Sequence, residues 1–79
     1  MKSNELISID PEILGGQPVF KGTRVPVESL FDYLEVGMSL DEFIEEFPTV
    51  TKEQVVLVLE MANRIISSKN IDKIYEAVA

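Results

Sequence analysis

The sequence contains no cysteine and no histidine. Their absence removes disulfides, the usual zinc ligand sets, thiol nucleophiles and imidazole general bases, and with them most small-enzyme chemistry. Breakers are scarce too: with four Gly, four Pro and 46% hydrophobic residues, the chain is predicted to fold rather than to remain a disordered tail. Long apolar runs are also missing. The longest is Val55 to Leu59, far short of the ~20 residues of a membrane span, and no long apolar run follows Met1–Glu5. These absences predict a cytoplasmic protein that is not an enzyme, uses no cofactor or structural metal and has no membrane partner.

What the chain does contain is one domain, residues 1–79, because a sequence this short buries only about 60% of its unfolded surface and cannot divide into two cores. A core of that size leaves little stability margin, and without a disulfide or metal the remedy is an oligomer or a partner. Charge is unevenly placed. Residues 1–26 and 51–79 are each neutral, so the whole net charge of −7 lies at Glu28, Asp32, Glu35, Asp41, Glu42, Glu45 and Glu46. That segment repels phosphate.

Local patterns predict a mainly α fold. Leu6–Ile9 reads as a short strand ended by Asp10-Pro11. Val19–Val25 reads as a tight hairpin, with Gly22 supplying a positive φ. Pro26 suits the first position of a helix, Glu28 its first turn, and Gly37 its stop, with Val27, Leu30, Phe31 and Leu34 as the buried stripe. Ser39 and Glu42 form a capping box for a second helix, which buries Leu40, Phe43, Ile44 and Phe47 and stops at Pro48. Thr51 and Gln54 form another, opening a third helix that runs to about Ser67 with Val55, Val58, Leu59, Ala62, Ile65 and Ile66 inward. Val56, Leu57 and Met61 then form a second apolar side. The tail offers Ile71, Ile74, Tyr75 and Val78 at helical spacing behind Asn70. Either this last helix folds back on the third, or these surfaces meet another chain; Val56, Leu57, Met61, Ile71, Ile74, Tyr75 and Val78 are the candidate partner-binding residues.

Three helices with a short break before the third are the layout of a helix-turn-helix. As a reader of DNA the third helix is poorly equipped: it would offer Lys52, Glu53, Gln54, Val56, Glu60 and Asn63, two acids for one base. The better phosphate candidates are Lys21 and Arg24 on the hairpin, so the candidate DNA-binding set is Lys21, Thr23, Arg24, Lys52 and Gln54. Gly16–Thr23 is not a phosphate loop of the nucleotide-binding type, since Lys21 and Gly22 stand in the reverse order. The carboxylates at 41, 42, 45 and 46 read as a solvated helix face rather than a metal or catalytic site.

The run Ile9-Asp10-Pro11-Glu12-Ile13-Leu14-Gly15-Gly16-Gln17-Pro18-Val19-Phe20-Lys21-Gly22-Thr23-Arg24-Val25-Pro26-Val27 resembles the signature of a prokaryotic family, domain of unknown function 433. Gly37-Met38-Ser39-Leu40-Asp41-Glu42-Phe43 and Phe47-Pro48-Thr49-Val50-Thr51 resemble its later pieces, with Val50 in place of the usual Leu. The likeness covers a core of residues 6–62 and leaves 63–79 as a C-terminal helical extension. It implies a three-helix, homeodomain-like bundle with a short N-terminal β-hairpin, and a VapB-type antitoxin encoded beside a toxin of the PIN-nuclease-like class. Gly15, Gly16, Gly22, Thr23 and Arg24 match its most characteristic positions, in a role that is either structural or functional. No catalytic residue is implied. The functional expectation is an antitoxin of a type II toxin–antitoxin system that neutralises its toxin by contact, forms a homodimer and binds its own operator DNA; the rivals are a stand-alone helix-turn-helix transcription regulator and a small scaffold protein with neither activity.

Overall fold

The computed structural model describes residues 6–79. Strand β1 (Ile7–Ser8) pairs antiparallel with β2 (Val19–Phe20), Ile7 opposite Phe20 and Ser8 opposite Val19. Four helices follow: α1 (Val27–Glu35), α2 (Leu40–Glu46), α3 (Lys52–Ile66) and α4 (Ile71–Val78). The expected hairpin at 19–25 is a turn rather than a ladder, because β2 spends one edge on β1 and reaches residues 25–26 through a single bridge, Val19 to Pro26. Within the turn Thr23 N donates to Phe20 O at 3.0 Å and Phe20 N to Val25 O at 3.0 Å. Gly22 at φ +78° takes the third position, where a type II turn needs positive φ.

Pro26 is held in extended geometry by that bridge (ψ 137°), so it caps α1, and Val27, one residue later than expected, is its first helical residue. At the other end Gly37, φ +87°, allows a Schellman closure: Gly37 N donates to Leu34 O and Met38 N to Tyr33 O, both at 3.0 Å. Both expected capping boxes are present. Ser39 Oγ accepts from Glu42 N at 3.1 Å while Glu42 Oε1 accepts from Ser39 N at 3.0 Å, and Thr51 and Gln54 repeat the exchange at 3.1 and 3.0 Å.

The core gathers Leu6, Val19, Phe20, Val27, Leu30, Phe43, Val50, Val55 and Val58. At its centre Phe43 meets Phe20, Tyr33 and Phe47 at ring-centroid separations of 6.1, 5.4 and 5.0 Å. Tyr33, outside the expected stripe of α1, joins because its ring also stands edge-on to Phe47 at 5.5 Å. The inward stripe expected for α3 fails at its far end: Ile65 and Ile66 are 44% and 66% exposed. The reason is length. At about 1.5 Å per residue, the 15-residue α3 outruns α1 and α2, of nine and seven residues, and its last turn leaves Ile65 and Ile66 uncovered. Leu57 and Met61, expected on a second face, pack instead against the edge of the core.

Candidate functional site

Two surfaces carry what the molecule has left to offer. The first is the turn at 20–25. Its frame is built from side chains that sequence reading assigned to DNA. Thr23 Oγ1 donates to Phe20 O at 2.9 Å and accepts from Val25 N at 3.0 Å. Gln54 already shares its Oε1 with Thr51, and its Nε2 donates to Lys21 O at 3.0 Å. Both residues are therefore committed to tying the turn to itself and to the start of α3. With Lys21 N bonded to Leu6 O at 2.9 Å, the backbone of Lys21 is held from two sides while its side chain, like that of Arg24, stands exposed. Lys52 lies 3.5 Å from Asp41, both well exposed, a pairing that solvent screens to little net value. Among the described residues it is the only ion pair, so Lys21 and Arg24 have no such partner there.

Beside the turn lies an open depression of about 710 Å³. Lys21 and Arg24 reach its rim from the turn, Ser8 from β1, Ile13 from the loop after it, Val25 from the approach to α1 and Thr49 from the break before α3. Ser8, Ile13 and Thr49 were not singled out by the sequence. They are up to 41 positions apart, and only the β1–β2 pairing and the α2–α3 turn bring them together.

The second surface is the tail. No residue of α4 is buried; Ile71 is half-buried, and Ile74, Tyr75 and Val78 are 38%, 66% and 79% exposed. With Val56, Ile65 and Ile66 on α3 they make up most of the large apolar side chains left uncovered. Of the candidate partner residues, then, Leu57 and Met61 sit at the core's edge while Val56 and the three distal residues of α4 face outward.

The seven acids of residues 27–50 are all exposed; Glu28 accepts from Gln17 Nε2 at 2.9 Å. Among the described residues no three acidic, His or Cys side chains are placed to hold a metal ion, and no helix is long and apolar enough to cross a membrane.

A family model described as "Protein of unknown function (DUF433)" matches residues 7–62. The uncharacterized protein y4eO of Sinorhizobium fredii (strain NBRC 101917 / NGR234) is 36% identical over 55 residues, which are 70% of this chain and 25% of that protein. The chain thus spans about a quarter of the length of the curated relative it matches. The crystal structure of a DUF433 member protein from Anabaena variabilis superposes with a TM-score of 0.66 at 27% identity, covering 90% of this chain and 68% of that one. A match over most of the chain, supported by a shared fold that reaches into the tail, places this protein in the DUF433 family.

Proposed function

We propose that the chain works by protein contact, as the antitoxin of a toxin–antitoxin pair, occluding a PIN-nuclease-like toxin in the cytoplasm and doing no chemistry itself. The observation that carries this reading is the apolar stripe of α4: Ile74, Tyr75 and Val78 are 38%, 66% and 79% exposed on a helix with no fully buried residue. Exposed apolar side chains in a row mark a surface meant for another molecule, and an amphipathic helix laid into a partner's groove is a common way to use one. A homodimer belongs to the same reading, since a core this small gains stability from a second copy. The test is co-expression with the product of the adjacent reading frame. The chain is expected to restore growth and to co-elute with that product, and the double variant I74D/Y75D is expected to lose both while melting as the parent does. Failure of the parent chain to do either retires the reading. Light scattering at about tens of micromolar tests the dimer, which a stable monomer would refute.

The second reading, a stand-alone DNA-binding regulator, is favoured by Lys21 and Arg24, two cations without an ion-pair partner among the described residues, on an exposed turn. It draws little from α3, whose outer face offers Lys52 against Glu53 and Glu60. In gel-shift titrations K21A/R24A is expected to weaken binding to all sequences alike and to flatten its salt dependence. Unchanged binding by that variant would remove these residues from the DNA surface.

A further inference from the structure

Charge, shape and rigidity coincide at the turn between β2 and α1. Lys21 and Arg24 meet no acidic side chain at the depression they border: among the described residues that line it, none is acidic. Its volume of about 710 Å³ falls within the roughly 300–1,000 Å³ of small-molecule sites. Ile13 and Val25 supply an apolar flank, and Ser8 and Thr49 add hydroxyls that can donate. The walls are set in advance, because Thr23 closes the turn on itself and Gln54 ties Lys21 to α3. A site whose backbone is fixed before binding has less ordering to do on capture.

We infer that this depression binds a small phosphomonoester with an apolar or aromatic body. Lys21 and Arg24 face the phosphate, Ser8 and Thr49 complete its hydrogen bonds, and Ile13 and Val25 take the body. A phosphomonoester carries about −1.5 to −2 charges at neutral pH, which two cations balance, and the guanidinium fork suits its oxygens. A polyanion fits less well. It must lie across a molecule of net charge −7, whereas screening over about 8 Å at physiological salt leaves a small ligand exposed mainly to the two nearby cations. The inference does not depend on the antitoxin reading, which rests on the opposite end of the chain.

The experiment is a titration of the ¹⁵N-labelled full chain with phenyl phosphate, followed by amide shifts, with inorganic phosphate and phenol as the two halves of the ligand. Saturable shifts are expected at Ser8, Gly22, Thr23, Val25 and Thr49, with phenyl phosphate binding at least about tenfold more tightly than either half. K21A/R24A and, separately, T49E are expected to weaken it by at least about tenfold. All three positions are exposed, so a retained spectrum certifies the fold of each variant. Shifts that are absent, never saturate, or fall on α4 overturn the proposal, as does inorganic phosphate binding as tightly as the ester. A short DNA duplex that produces the same shifts at lower concentration also overturns it, by assigning the two cations to a nucleic-acid backbone.

Discussion

Residues 6–62 and residues 63–79 obey different rules in the same chain. The first segment holds every buried side chain of the described residues, from Leu6 to Val58, and the second holds none. Helix starts differ in the same way. α2 and α3 each open on a reciprocal capping box, whereas Asn70 before α4 makes no side-chain cap. In the first segment the fold is stabilised by burial, whereas α4 adds only a half-buried Ile71 and a partly covered Ile74. Isolated helices of eight residues are marginal in water. The lesson is that apolar periodicity identifies a helix's buried face without saying whose core it will be buried in.

The contrast can be broken or sharpened by substitution. The largest effect is expected at Phe43, fully buried among Phe20, Tyr33 and Phe47: F43A should cost about 3–5 kcal/mol in urea unfolding, enough to unfold a domain of this size. G22A comes next, at roughly 1–2 kcal/mol. A Cβ there would meet nothing within 4 Å, so the cost is that of positive φ alone, and a melt matching the parent's would show that the turn accepts another geometry. T51A should cost about 1 kcal/mol through loss of the α3 cap. Smallest are N70A and Y75A, each expected within about 0.5 kcal/mol of the parent when measured dilute enough to exclude association. A large loss at Tyr75 under those conditions would mean that α4 is part of the monomer's fold, and the division drawn at residue 63 would fall.

Much of the fold was legible because its signals are local. Ser39 with Glu42, Thr51 with Gln54, and Gly37 each fix a helix end by hydrogen bonds spanning three to five residues, and such bonds are readable from spacing. Tyr33 was missed because its burial comes from rings on another element. Ile65 and Ile66 were misplaced because periodicity cannot see that α1 and α2 are too short to cover them. At the candidate surfaces the cationic pair was legible as charge on a turn. Gln54 was read for its chemistry, an amide at a helix start, and nothing in the sequence says that a carbonyl 33 positions earlier would claim its Nε2. Ser8, Ile13 and Thr49 left no trace, since a depression is made by topology and has no motif.

The Gln54 side chain has a consequence for local opening. One amide spans two elements, its oxygen capping α3 and its nitrogen holding the Lys21 carbonyl, so fraying of the first turn of α3 also breaks a bond to the turn after β2. That bond couples the two segments by about 1 kcal/mol, a difference that native-state hydrogen exchange can read. The amides of Thr23 and Val25, bonded within the turn, are expected to exchange faster in Q54A while the interior of α3 keeps its protection.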